Sequence, residues 1–279
     1  MRKARLRLQH RRPTQPKGRI TLSVPRAVPN IDFPPEEWEM RVDLAAAFRL
    51  VDRYGWSDLL ATHLSARVPG PEHQFLINPF GLMFDEVTAS SLVKVDQEGN
   101  ILSATDYTIN PAGFVIHGAI HMARPEVACV IHTHTRAGVG VATQKHGLLP
   151  LTQHAMAVIA QTGYHDYQGI ATDVAERESI VNDLGENRVL ILRNHGLLTV
   201  GRTVGEAFMW MYRAERACYM QLSVQQAGAE INPIPEDVQR TTIERNRFNN
   251  SEKGYRPIGK VEWPALRRKL DRSDPSYKE

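Results

Sequence analysis

Residues 127–134 read Val-Ala-Cys-Val-Ile-His-Thr-His. The first five are continuously apolar and of strand length. A strand that shows no polar side is covered on both faces, which predicts a sheet sandwiched between helices. The run ends on His132-Thr133-His134. Side chains alternate along a strand, so residues two apart share a face. Two imidazoles one pleat apart reach a single ion at nitrogen–metal distances of about 2 Å. A His-x-His pair alone has moderate specificity. A second strand-end histidine lies downstream in Leu192-Arg193-Asn194-His195-Gly196, directly after the apolar Val189-Leu190-Ile191-Leu192. Together they predict a three-histidine facial site, His132, His134 and His195, with open coordination positions.

Outward from this centre the chain alternates helical and strand patterns. Pro34-Pro35-Glu36-Glu37 reads as a helix start, followed by apolar residues at helical spacing as far as Val51 and a stop at Gly55. Residues 59–68 and 74–78 read as strands around the turn Pro69-Gly70-Pro71. Short apolar segments follow at 91–95 and 100–103. Helices are predicted at about 112–123, 135–145 and 172–184, strands at 189–192 and 197–200, and a mixed segment at 147–171. Thr203-Val204-Gly205-Glu206 is a capping box that opens a long amphipathic helix, with Gly228 beyond its end. These elements form one α/β domain over 36–230. Residues 1–35 read as an irregular basic arm and 231–279 as a C-terminal tail with little periodicity.

The net charge of +3 hides an asymmetry: residues 1–19 carry eight Lys/Arg and no acid, leaving 26 basic against 31 acidic residues elsewhere. The basic character thus belongs to the arm, which reads as solvated; nucleic acid is not an expected partner. The two cysteines, Cys129 and Cys218, stand apart inside apolar runs and read as buried thiols of a reducing compartment. Without an apolar signal core or a membrane-length apolar run, the expected location is cytoplasmic.

The ordered motifs resemble the class II aldolase/adducin family. The matching stretches are Thr62-His63-Leu64-Ser65-Ala66-Arg67, residues 76–96 (LINPFGLMFDEVTASSLVKVD), residues 110–134 (NPAGFVIHGAIHMARPEVACVIHTH), Tyr164-His165-Asp166-Tyr167-Gln168-Gly169, and residues 190–206 (LILRNHGLLTVGRTVGE). They run in order across about two thirds of the chain, and their details are most similar to the adducin-like branch. The resemblance implies a single-domain three-layer αβα fold with a central, mostly antiparallel sheet. It puts the metal ligands on His132, His134 and His195, the same residues that strand spacing selects. It implies a divalent ion, with zinc first and manganese or iron as alternatives, and a homotetramer with sites at subunit interfaces.

Departures from the aldolase pattern narrow the chemistry. The aldolases place an acid/base glutamate four residues before the position of His117, where this chain has Gly113. The Gly-Asn, Thr-Gly and Ser-Ser pairs that hold phosphate in the aldolases correspond here to Thr62-His63, Phe80-Gly81 and Pro111-Ala112. The expected activity is therefore a metal-dependent carbon–carbon lyase, aldolase-like or decarboxylating, on a small oxo-, hydroxy- or aromatic acid without a phosphate handle. A non-haem iron oxygenase with a three-histidine site is the alternative, and a non-catalytic module of the adducin-head type is a further one. Tyr164 and His165 are the candidate proton donors, His63 and Arg67 the candidate substrate-binding residues, and His117 and Asn194 the residues expected to support the ligands from behind.

Overall fold

The computed structural model describes residues 33–279, apart from 71, 170–173, 252 and 255–256. The basic arm predicted for 1–35 lies almost entirely outside the described residues. The first helix, α1 (Pro35–Arg53), starts at the predicted prolines, with Glu36 and Glu37 in its first turn. Strands β1 (His63–Arg67), β2 (Phe75–Ile77) and β3 (Val93–Val95) form an antiparallel meander. The predicted strand 59–68 is shortened at its start, where Leu59 takes a left-handed φ of 48°. Helix α2 (Pro111–Ala123) leads into β4 (Cys129–Thr133), which pairs antiparallel with β1. Next come α3 (Arg136–Ala142), α4 (Gln153–Ile159), β5 (Thr162–His165), α5 (Val174–Leu184), β6 (Val189–Leu192), β7 (Gly196–Gly201) and α6 (Val204–Ala227).

The seven strands form one sheet in the order β3-β2-β1-β4-β7-β6-β5. Among the described residues only the β5–β6 pair is parallel; the sheet is mostly antiparallel, as expected. Alternation along the strands divides the buried apolar side chains between the two faces of the sheet. Cys129, Ile131, Val189, Ile191 and Leu197 face α1, α3, α4 and α6, while Val130, Leu190, Leu192, Leu198 and Val200 face α2 and α5. That is the predicted αβα sandwich. Cys129 and Cys218 are buried, free thiols. Among the described residues no helix is long and apolar enough to cross a membrane.

The predicted capping box is present in altered form. The Thr203 hydroxyl accepts from Glu206 N at 3.0 Å, but the Glu206 carboxylate accepts from Arg202 N, not from Thr203 N. Gly228 closes α6 at φ 62°. Two regions correct the sequence reading. The mixed segment 147–171 holds α4 and β5, elements of 7 and 4 residues, too short for periodicity to register. The segment read as an irregular tail contains α7 (Glu236–Asn249), α8 (Glu262–Asp271) and a 3₁₀ turn at Ser276–Lys278. Its Trp263, Leu270 and Tyr277 are buried in the α1/α6 core.

Candidate metal centre

The site forms where β4 ends beside the β6–β7 turn. His132 is the next-to-last residue of β4 and pairs in register with Leu198 of β7 and, on the other side, with His63 of β1. His134 lies just past β4. His195 occupies the turn, which closes through His195 N to Leu192 O at 3.0 Å. Asn194 gives this turn its shape by taking φ 59°, a region that asparagine tolerates better than most residues. Gly196 allows the close approach: a Cβ there would lie 2.4 Å from the Thr133 carbonyl oxygen.

The three Nε2 atoms converge. That of His134 lies 2.9 Å from His132 Nε2 and 3.0 Å from His195 Nε2. The other ring nitrogens fix the protons. His132 Nδ1 is 3.0 Å from the Leu197 carbonyl oxygen, which only accepts, so Nδ1 carries the proton. His134 Nδ1 is 3.1 Å from the Asp58 carboxylate and donates likewise. With both rings in the neutral form that ligates a metal, both Nε2 atoms are bare, and two bare lone pairs facing at 2.9 Å repel unless a cation lies between them. Burial, with the surrounding imidazoles, holds His132 well below the usual imidazole range and His195 at about 4. Both are therefore neutral near pH 7, the form that ligates a metal. These three residues form a group able to hold one metal ion, and the donor set, including a carboxylate behind one imidazole, fits a divalent cation.

The other predicted residues divide by strand parity. On β5, Tyr164 and His165 point to opposite faces. Tyr164 points to the α1/α6 face, where its hydroxyl accepts from Leu148 N at 3.0 Å and Arg193 stacks on its ring. It is not brought to the triad. His165 lies on the triad's face, lining a small pocket with Ile116, Tyr167, Leu192 and His195, and its Nδ1 is 2.7 Å from Asp183. Tyr167, two residues after His165, stands edge-on to His195 at 6.5 Å between ring centroids. Arg67 sits at the far end of β1, bonded to the carbonyls of His121 and Val127. Three strand residues separate it from His63, so the strand does not bring it to the triad.

His63 does flank the triad: its ring centroid is 5.1 Å from that of His132, and burial depresses its pKa to about 3. It also covers Gly113, where an added Cβ would lie 2.6 Å from His63 Cδ2. No side chain, glutamate included, fits at 113 while His63 holds this position. His117 does not touch the three converging nitrogens but bonds His63, with Nε2 2.9 Å from His63 Nδ1. Asp58 was not predicted. It stands in a loop after α1, 76 residues before its histidine, and no spacing rule links the two.

This fold and site define the class. The model of the Class II Aldolase and Adducin N-terminal domain matches residues 42–222, and the chain belongs to that family. An aldolase II superfamily protein from Pseudomonas syringae, known from its crystal structure, superposes with a TM-score of 0.84 at 48% identity, covering 89% of this chain and 98% of its own. L-fuculose 1-phosphate aldolase from Glaciozyma antarctica superposes at 0.75 with 29% identity, covering 91% and 97%. Alpha-adducin from Rattus norvegicus is 40% identical over 256 residues, 88% of this chain but 35% of adducin, so the likeness spans about a third of that protein.

Proposed function

We propose that this chain is a divalent-metal-dependent lyase, aldolase-like or decarboxylating, that acts on a small oxo- or hydroxy-acid without a phosphate handle. The observation that carries the reading is the convergence of three Nε2 atoms, with Leu197 O and Asp58 placed to accept from the Nδ1–H groups of His132 and His134 on the far side. His132, His134 and His195 would hold the ion, which when bound supplies Lewis-acid polarisation of substrate oxygens. His165, steadied by Asp183, faces the same pocket as His195 and is the side chain we assign to proton transfer. Leu59 beside Asp58 is 69% exposed and Tyr167 56% exposed. We expect a homotetramer with sites between subunits and place these two exposed side chains at that contact.

The test is elemental analysis of the purified protein beside His132→Ala and His195→Ala. About one zinc or manganese per chain, lost in both variants, is expected. Iron with oxygen consumption would move the reading to an oxygenase. Absence of any stoichiometric ion after reconstitution would overturn it and leave a binding module, the reading favoured by the 40% identity to alpha-adducin.

A further inference from the structure

Behind the triad, β1 and α2 meet in a buried row of imidazoles. Strand residues two apart recur every 6.6–6.8 Å or so, and helix residues four apart about every 6 Å, so the two rows stay in step over three rungs. Gly113 lies against His63. His117 bonds His63 through Nε2 at 2.9 Å and Ser65 Oγ through Nδ1 at 2.7 Å. His121 Nε2 is 2.8 Å from the same hydroxyl, and His121 Nδ1 is 3.3 Å from the Val127 carbonyl oxygen.

The far end of this row sets every proton in it. A carbonyl oxygen only accepts, so His121 carries its proton on Nδ1 and leaves Nε2 bare. The Ser65 hydroxyl must then donate to His121. Its oxygen is left to accept from His117 Nδ1–H, which leaves His117 Nε2 bare to accept from His63 Nδ1–H. With three neutral rings only one arrangement satisfies all four contacts. It ends with the Nε2 lone pair of His63, to which no hydrogen bond is made among the described residues. His63 is thereby an acceptor beside the triad, in the space a glutamate at 113 would claim.

We propose that Ser65, His117 and His121 are positioning residues that lock His63 as a hydrogen-bond acceptor, so that the site selects substrates presenting a hydroxyl, not an anionic oxygen, to His63. This deepens the lyase reading and rests on it for the placement of substrate at the triad. It disfavours a dianionic phosphate or a second carboxylate at this position, because neither carries an O–H to donate.

Two measurements decide it. Imidazole ¹⁵N shifts of the isolated protein read the tautomers directly, with or without an ion. His63, His117 and His121 are expected as Nδ1–H forms, against the Nε2–H preference of free imidazole. Ser65→Ala should release His63 and His117 into mixed tautomers, and Ser65→Thr, which keeps the hydroxyl, should restore them. An Nε2–H tautomer at His63 in the wild type overturns the proposal. In the second measurement, zinc-loaded protein is titrated with glycolate and with methoxyacetate, which offers the same oxygens but no donor. Glycolate is expected to bind about tenfold tighter, with the preference lost in Ser65→Ala at unchanged metal content. Equal binding by the wild type, or a preference that survives Ser65→Ala, overturns it. If no ion is retained, the lyase reading fails separately while the tautomers still decide this one.

Discussion

At the scale of single residues, the centre depends on two positions that are not ligands. Asp58 accepts from His134 Nδ1 at 3.1 Å and aims the ring's other nitrogen at its neighbours. A carboxylate behind a metal-bound imidazole raises its basicity and fixes its tautomer, and its removal typically lowers metal affinity 10- to 100-fold. Asp58→Ala should therefore lower zinc affinity by roughly that factor in competition with a chromophoric chelator, with little change in melting temperature because Asp58 is exposed. Gly196 acts through space, not charge. A methyl group there would sit 2.4 Å from the Thr133 carbonyl oxygen and 3.3 Å from His134 Cδ2. Backbone cannot yield as a flexible side chain does, so Gly196→Ala must push the His195 turn away from β4, at a cost of roughly 1–3 kcal/mol. It should melt earlier than the wild type and hold less than one ion per chain. A variant with unchanged melting and full occupancy would show that the close approach is unnecessary.

At the scale of elements, what the sequence disclosed follows from how each element announces itself. The apolar runs of β4 and β6 and the capping threonine of α6 carry their own signals, and the triad inherits its legibility from them, since a histidine ending a buried strand has only one place to stand. The β5 strand carried too few residues to signal its parity, so Tyr164 and His165 entered as equals although the pleat sends one to Leu148 and the other to His195. Arg67 shares a face with His63, which its position discloses, but β1's direction puts it at the distal end, which only the pairing with β4 reveals. The α2 row was half legible: His117 and His121 four apart predict one face, and Ser65 two after His63 predicts another, but their meeting needs the tertiary register. That row sets an acid limit on folding. Burial holds His121 down at about 3 and His117 well below the usual imidazole range, whereas the unfolded chain takes up these protons near 6.5. Between those values the unfolded state binds more protons, so stability is intact above about 6.5 and is lost as the pH falls toward 3. Each group contributes a slope of about 1.4 kcal/mol per pH unit. Urea titrations of the metal-free protein at pH 6, 5 and 4 should show this slope, and His121→Gln should flatten it by about one proton.

At the scale of the whole molecule, the C-terminal segment is part of the domain's core. Trp263 packs against Phe208 at 5.6 Å between ring centroids and donates from Nε1 to Asp43 at 2.9 Å. Arg267 bonds the same carboxylate and Glu39, so α8 is tied to α1 by charge as well as by apolar contact. The final residues close onto the loop before β3 through Ala89 N to Tyr277 O and Ser90 N to Glu279 O, at 2.9 and 2.8 Å. Exposing Ile258, Trp263, Leu270 and Tyr277, all under 9% accessible, forfeits on the order of 6–12 kcal/mol of burial, comparable to the whole stability of an ordinary domain. A chain ended after residue 230 should therefore lack a cooperative transition. The single substitution Trp263→Ala removes about 3–5 kcal/mol and should lower the melting temperature by roughly 10 °C. Of the triad, His132 shares its face of β4 with Val130, on the side of the sheet away from the core that holds Trp263 and Leu270 of α8. Trp263→Ala should consequently bind the same number of ions per folded chain as the wild type at low temperature. Loss of metal in proportion to loss of stability would mean that the α8 contact also sets the geometry of the three histidines.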